Sequence, residues 1–295
     1  MYIGRFAPTP SGPLHLGSFI TALASYLDAK HNDGEWKIRI DDIDTPRIKK
    51  GSEKLILNSL EAFGLHWDGL VMRQSDNIKI YELVTQKLKE LNLTYYCECS
   101  RKDILLNNPT KSDFSIYNNA CSLKKLSTRK GHSIRLKTNS KKIIFKDTIQ
   151  GTKSINLKLL MGDFIVKRSD NIFSYQLTTA IDDDLQSITN IVRGADLIKS
   201  TPQQIYIRAL LKLKAIKYSH IPIVLVGGQK LSKSMGDTLE MKNPSEVLIK
   251  SLKFLNQEIS KTLEQASPKE IIQWAVKNWD RKKIEKKTAI ELSYI

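Results

Sequence analysis

The chain is 295 residues long, 41% hydrophobic, with a formal net charge of +16. That length fits one large or two modest domains with a real buried core, and the absence of any run of about 18 apolar residues excludes a transmembrane helix. The basic excess favours polyanionic partners through phosphate neutralisation, although plentiful lysine in an Ile- and Asn-rich chain accounts for part of it. Three cysteines, Cys97, Cys99 and Cys121, share one short window. An odd count so closely spaced argues against a secreted disulfide framework and raises metal binding or redox chemistry instead. Met1-Tyr2-Ile3-Gly4-Arg5 reads as a strand rather than a signal-peptide start, so a cytoplasmic location is expected.

Along the chain, residues 2–7 read as a strand that runs into a Pro/Gly-rich loop. Residues 18–30 read as a helix, with Ser18 as N-cap or first-turn residue. Residues 35–43 return as a strand in which Trp36, Ile38 and Ile40 alternate against Lys37 and Arg39. Helices are expected over 51–63, with Leu55, Ile56, Leu60 and Phe63 marking an apolar face, and over 77–91. This alternation implies an α/β fold with a parallel sheet. Residues 96–190 change character, with short strands at 132–137, 142–146 and 164–168 around the cysteines, and read as an insertion. A helix at 200–213, a strand at 221–226, a Gly227-Gly228 turn and helices at 244–256 and 268–279 complete the chain.

The loop Ala7-Pro8-Thr9-Pro10-Ser11-Gly12-Pro13-Leu14-His15-Leu16-Gly17-Ser18 lies between a strand and a helix, where nucleotide-binding α/β folds place phosphates. Gly12 and Gly17 permit close backbone approach. His15 can donate to a phosphate oxygen as charge grows there; an ordinary surface histidine beside a prolyl turn is the alternative. A Walker A sequence does not occur, so this is no P-loop enzyme. Lys230-Leu231-Ser232-Lys233-Ser234, bounded by Gly228 and Gly236, is either a solvated loop or a lysine clamp for departing pyrophosphate. In this order, the two stretches resemble the paired His-Ile-Gly-His and Lys-Met-Ser-Lys-Ser signatures of class I aminoacyl-tRNA synthetases. The resemblance implies attack of a carboxylate on the α-phosphate of ATP, with Mg²⁺ bridging the phosphates. It makes His15 and Lys233 catalytic and adds Gly17 and Lys230 to the ATP site.

Gly4-Arg5-Phe6-Ala7-Pro8-Thr9-Pro10-Ser11-Gly12, Arg39-Ile40-Asp41-Asp42-Ile43-Asp44 and Ile191-Val192-Arg193-Gly194-Ala195-Asp196 are similar to three signatures of glutamyl-tRNA synthetases and their relatives. With the lysine motif they extend over positions 4–234. The resemblance implies a glutamate pocket of Arg5, Phe6, Ala7, Pro8, Thr9, Asp41, Tyr175 and Arg193. The chemistry agrees, because Arg5 and Arg193 can clamp a side-chain carboxylate. Asp41 suits the substrate ammonium, and Tyr175 adds a hydroxyl. The competing reading for the arginines is structural pairing with Asp41, Asp42 or Asp44. That family usually has Glu where this chain has Asp41, about 1.5 Å shorter in reach, so amino-group binding needs a water or a backbone shift.

Only residues 235–295 lie beyond Ser234, too few for the anticodon-binding region of full glutamyl-tRNA synthetases. Trp274-Ala275-Val276-Lys277-Asn278-Trp279 extends the similarity nearly to the end. The chain therefore most resembles the truncated glutamyl-queuosine tRNA(Asp) synthetase family. The resemblance implies that glutamate, activated with ATP, is esterified to the queuosine base at the wobble position rather than to the 3′ end. L-glutamate, ATP and the anticodon stem-loop of tRNA(Asp) are the partners it implies. It also implies one structural Zn²⁺ per chain on Cys97, Cys99, Tyr117 and Cys121, with water or another residue as a substitute for Tyr117 and three unliganded cysteines as the alternative.

The expected architecture is an α/β, Rossmann-like class I synthetase catalytic domain with a parallel sheet. It comprises an ATP- and glutamate-binding body at 1–95 and 191–242, an inserted α+β zinc-containing subdomain at 96–190 and a short helical C-terminal region at 243–295, in a cytoplasmic monomer. Three rival functions stand beside it: a short glutamyl- or glutaminyl-tRNA synthetase charging a 3′ end, a non-catalytic paralogue that binds RNA or senses an amino acid, and a small-molecule adenylyl transferase.

Overall fold

The computed structural model describes residues 1–106, 116–124, 126, 127, 131–231 and 243–292. The first half runs β1 (Ile3–Phe6), α1 (Leu16–His31), β2 (Glu35–Ile40), α2 (Ser52–Ala62), β3 (Met72–Arg73), α3 (Ile78–Glu90), β4 (Thr94–Cys97), α4 (Arg101–Leu106), β5 (Ser133–Leu136) and β6 (Lys142–Asp147). Next come β7 (Gly151–Asn156), α5 (Leu157–Leu160), β8 (Phe164–Lys167), α6 (Tyr175–Leu185), β9 (Asn190–Gly194) and α7 (Thr201–Leu210). The chain closes with β10 (Lys217–Ile221), β11 (Ile223–Val226), β12 (Gln229–Lys230), α8 (Pro244–Phe254), α9 (Pro268–Asn278) and β13 (Ala289–Glu291).

Strands β1, β2 and β3 pair in parallel, with Gly4 opposite Trp36 and Ile40 opposite Arg73. A second parallel set joins β9, β10 and β6, and β7 adds to β6 antiparallel. The two meet just before β9, where Thr189 donates its N–H to Ile3 O at 2.9 Å. A parallel α/β architecture is thus present, as the strand–helix alternation requires. Within residues 96–190, β6 belongs to this parallel set, whereas β5 and β8 join β4 in a separate antiparallel sheet that ends at Cys97. Gly227 and Gly228, at φ 58° and 76°, turn β11 into β12, as a two-residue hairpin loop demands.

Helix α1 is buried over most of its surface, with Phe19, Leu23 and Leu27 fully enclosed. It lies against β1 and β9 and also contacts α8 and α9. A helix hydrophobic nearly all round belongs inside a core. Its one buried acid, Asp28, accepts hydrogen bonds from the Tyr2 hydroxyl, from Trp279 Nε1 at 2.9 Å and from Arg281 at 2.7 Å. The residues after α9 are thereby fastened to α1.

Several local expectations are corrected. Alternation places Arg39 with Lys37 on an outward face, yet Arg39 is fully buried. Strands in parallel sheets are covered on both faces, so a period of two does not separate core from solvent. Leu55 is half exposed, while Ile56, Leu60 and Phe63 are buried as expected. Pro222 has no N–H to donate and divides the strand expected at 221–226 into β10 and β11, which pair with different neighbours. Ser18 lies in the first turn of α1, one of its two expected places, and the N-cap is His15.

Arg39 binds Asp41 Oδ1 at 2.7 Å and Asp183 Oδ1 at 2.7 Å, and lies 3.8 Å from Asp182 Oδ2. Removing the cation leaves buried carboxylates uncompensated, which costs about 3–5 kcal/mol. Arg39→Leu is therefore expected to lower the unfolding free energy by about that amount in urea titrations, and a loss below about 1 kcal/mol would refute this account.

Candidate active site

The loop after β1 is pinned from below by backbone hydrogen bonds: Asp41 N–H donates to Pro8 O at 3.0 Å and Lys49 N–H to Pro10 O at 2.9 Å. Gly12, at φ 131°, permits the turn between Ser11 and Pro13. The chain then enters α1 through His15. Its Nδ1 accepts from Ser18 N–H at 3.3 Å, and its Nε2 lies 2.8 Å from Ser18 Oγ. Because Nδ1 accepts, Nε2 carries the proton, so the imidazole presents a donor at the N-terminus of a 16-residue helix. A Cβ on Gly17 would sit 3.3 Å from two atoms of that ring, so glycine here gives the imidazole its room.

Residues Arg5, Phe6, Ala7, Pro8, Thr9, His15, Gly17, Tyr175, Arg193 and Lys230 line one cleft of about 520 Å³. Asp41 faces an adjoining cleft of about 860 Å³ that shares Ala7, Thr9 and Tyr175 with the first. Lys230 is paired with Asp196, the last residue of the Arg193–Asp196 stretch. Lys233 lies outside the described residues, as do Ser232 and Ser234.

The two arginines differ. Arg5 is a structural ion-pair member, but its partner is Asp183 (Nε–Oδ1 3.2 Å), not Asp41, Asp42 or Asp44. Asp42 instead accepts from the Ser75 backbone and hydroxyl, and Asp44 pairs with Arg47 and Arg168. Arg193 makes no ion pair with a carboxylate among the described residues. Its Nε donates to His220 Nε2 at 3.0 Å, and one terminal nitrogen donates to Tyr175 Oη at 3.2 Å. The other terminal nitrogen donates to Thr201 Oγ1 and Gln204 Oε1, both at 2.8 Å. Arg193 thus keeps an unneutralised charge while 98% buried (2% exposed), a costly arrangement that an anionic ligand relieves.

Burial sets the ionisation of the acids. It pushes Asp41 up to about 6 even though Arg39 opposes the shift. Burial would also raise Asp183, but Arg5 and Arg39 overcome it and hold that carboxyl below the usual range. Asp183 and Arg39 thus form a fixed ion pair, while Asp41 changes charge near neutrality.

The cysteine sulfurs lie within 4.8 Å of one another. Cys99 and Cys121 are 3.5 Å apart, and Tyr117 Oη sits 3.3 Å from Cys97 and 3.9 Å from Cys99. Zinc–thiolate bonds of about 2.3 Å in a tetrahedron separate sulfurs by about 3.8 Å, so this donor set fits Zn²⁺ after small adjustments. Tyr117 is fixed by Arg135, whose guanidinium stacks 3.7 Å from its ring centre, and by Gly162, where a Cβ would strike Tyr117 O at 2.1 Å. Burial raises the Tyr117 phenol pKa, so this hydroxyl ionises only if a metal displaces its proton.

Four residues escaped the sequence reading: His220, Asp147, Asp182 and Asp183. Asp182 and Asp183 begin an acidic triplet inside the apolar stretch of α6. Two buried acids there require buried cations, which is the signal that would have found Arg39. His220 is a single histidine in β10, which reads Lys-Tyr-Ser-His-Ile, a pattern with no chemistry of its own.

Residues 3–292 match the family described as tRNA synthetases class I (E and Q), catalytic domain. Proteins named glutamyl-Q tRNA(Asp) synthetase are similar end to end. The Acinetobacter baylyi protein is 40% identical over 100% of this chain and 98% of its own, and that of Neisseria meningitidis 39% over 97% and 98%. Among solved structures, a glutamate tRNA ligase from Elizabethkingia meningosepticum, in complex with its amino acid, superposes with a TM-score of 0.78 at 26% identity. That match spans 99% of this chain and 67% of the ligase. The chain belongs to the class I tRNA synthetase catalytic-domain family for glutamate and glutamine.

Proposed function

We propose that this enzyme activates L-glutamate with ATP and transfers the glutamyl group to the queuosine base at the wobble position of tRNA(Asp), leaving the 3′ end uncharged. The observation that carries this reading is the length of the match. Relatives named for that activity align over 95–100% of both chains, whereas the glutamate tRNA ligase is matched over 67% of its length. In this reading residues 1–95 and 191–242, with β6 and α6 built into them, form the ATP- and glutamate-binding body of a cytoplasmic monomer, the rest of 96–190 the inserted subdomain and 243–295 the helical C-terminal region. The insertion and the +16 surface receive the anticodon stem-loop, since RNA loops present splayed bases to proteins.

Glutamate enters with its side-chain carboxylate toward Arg193, Tyr175 and Arg5 and its ammonium toward Asp41, while residues 6–9 form the wall beside it. The α-carboxylate oxygen attacks the α-phosphorus, the bond to the β-phosphate oxygen breaks, and pyrophosphate leaves. His15 exchanges its Ser18 hydroxyl for a phosphate oxygen. Gly17 admits the nucleotide, and Lys230 and Lys233 neutralise the departing charge. Bound with ATP, Mg²⁺ supplies further neutralisation. A hydroxyl of the modified base then attacks the glutamyl carbonyl, AMP leaves, and the hydroxyl proton passes to solvent. Cys97, Cys99, Cys121 and Tyr117 would hold one structural Zn²⁺.

Three measurements test this. Radiolabelled glutamate is expected on tRNA(Asp) that carries queuosine and not on tRNA(Asp) that lacks it; label on both would instead indicate charging of the 3′ end. Protonation of Asp41 as pH falls through about 6 removes the ammonium partner, so KM for glutamate should rise by about tenfold per pH unit below that point. In Asp41→Asn, KM should be high and flat from pH 5 to 8, and an unchanged profile would remove Asp41 from this role. Elemental analysis should find one zinc per chain, reduced in Cys121→Ser, and chelation should lower Tm; full-length protein purified without zinc and indifferent to chelator would refute the site.

A further inference from the structure

The glutamate reading leaves open what makes Arg193 a carboxylate receptor rather than a mobile side chain. A guanidinium carries five N–H donors. Four of them are used: one on His220 Nε2, one on Tyr175 Oη, one on Thr201 and one on Gln204. All four acceptors are uncharged, which leaves a single N–H, on the nitrogen that meets Tyr175, for the cleft that Tyr175 and Arg193 both line.

Arginine Nε only donates, so His220 Nε2 must accept, and the imidazole proton must lie on Nδ1. Nδ1 then donates to Asp147 Oδ2, with the nitrogen 2.5 Å from that oxygen. The opposite oxygen, Asp147 Oδ1, accepts three backbone N–H groups, from Ile149 (3.0 Å), Gln150 (2.8 Å) and His220 (3.2 Å). Asp147 and His220 are buried. They sit on the paired strands β6 and β10, and β10 pairs in turn with β9, where His220 lies opposite Arg193. The chain of contacts therefore crosses three neighbouring strands of one sheet.

We propose that His220 and Asp147 are positioning residues that hold Arg193 in the orientation required by the side-chain carboxylate of the amino acid substrate. Asp147 selects the His220 tautomer, and His220 supplies a neutral acceptor that orients the guanidinium without cancelling its charge. A carboxylate in the place of His220 would neutralise Arg193 and compete with the substrate. Burial pushes the His220 pKa down to about 4 even though Asp147 opposes it, consistent with an imidazole that stays neutral. This inference rests on the glutamate reading for its substrate and on geometry alone for the tautomer.

Asp147→Asn separates the two. The three backbone donors keep the amide oxygen on their side, so the amide NH₂ faces His220 Nδ1. The imidazole must then accept at Nδ1 and carry its proton on Nε2, which sets a donor against Arg193 Nε, as a misplaced tautomer does in hydrolase triads. Long-range ¹H–¹⁵N spectra of ¹⁵N-histidine-labelled protein should show His220 protonated on Nδ1 in the wild type and on Nε2 in Asp147→Asn. In glutamate-dependent ATP–pyrophosphate exchange, Asp147→Asn should raise KM for glutamate by about 10–100-fold with KM for ATP nearly unchanged, a split that general loss of packing does not produce. His220→Gln, which keeps an acceptor near Nε2, should retain more glutamate affinity than His220→Leu. The proposal is overturned by a wild-type His220 protonated on Nε2, by wild-type glutamate KM in Asp147→Asn, or by His220→Gln no better than His220→Leu. If the wild type does not exchange with glutamate at all, the proposed substrate fails, and the ¹⁵N spectra still decide the tautomer that the positioning role requires.

Discussion

Arg39 is the charge on which the amino acid side of the cleft is built. It reaches Asp41 at the end of its own strand and Asp182 and Asp183 on α6, and through Asp183 it is linked to Arg5 on β1. Two parallel strands and a helix are thus locked around one buried guanidinium. Asp182 is held further by the Tyr81 hydroxyl, Gln74 and Asn77. Such networks cost desolvation energy and contribute little net stability, but they impose one arrangement because any other leaves a buried charge alone. The electrostatic character of the cleft follows: Arg5 is already satisfied by Asp183, Arg193 is not satisfied by any described carboxylate, and burial pushes the Asp41 pKa up to about 6.

What the sequence disclosed follows from which interactions are local. The loop from Ala7 to Ser18 was readable because a strand, three prolines, two glycines and a helix start lie within a few residues of each other. The residues proposed for glutamate and ATP, other than Asp41 and Lys233, line one cleft, and Asp41 faces the next. Hidden were the relations that only tertiary structure creates. Arg39 looked solvent-facing because an alternation rule for half-exposed strands was applied to a strand covered on both sides. The pairing of Arg5 with Asp183 joins residues 178 positions apart, and no periodicity points across such a distance. His220 had no signal, since a lone histidine in a short mixed strand gains meaning only from Asp147 and Arg193 beside it. The three closely spaced cysteines were legible as residue chemistry, while Tyr117 beside them came only from the family resemblance, and the stacking of Arg135 on Tyr117 and the close approach at Gly162 belong to packing.

Arg193 and His15 illustrate two ways of preparing a group for an anion. Arg193 is immobilised by four neutral acceptors and waits with its charge uncancelled. His15 is held by the first turn of the helix it caps, through Ser18, so phosphate can replace the serine hydroxyl without moving the ring far. In both cases the ordering cost is met when the chain folds, which leaves more of the interaction for the ligand.

Asp28 ties the ends of the molecule together in a way that bears on how such a chain tolerates change. Tyr2, beside β1, and Trp279 and Arg281, after the last long helix, meet on one carboxylate in the last turn of α1, and α1 begins at the histidine that faces the cleft. The last helices therefore act as a brace rather than an appendix. Trimming the chain before Trp279 would strand an acid inside the core and loosen the helix whose first turn lines the cleft. Length variation in proteins of this architecture is accordingly most damaging within the brace, although no residue of the brace touches the cleft.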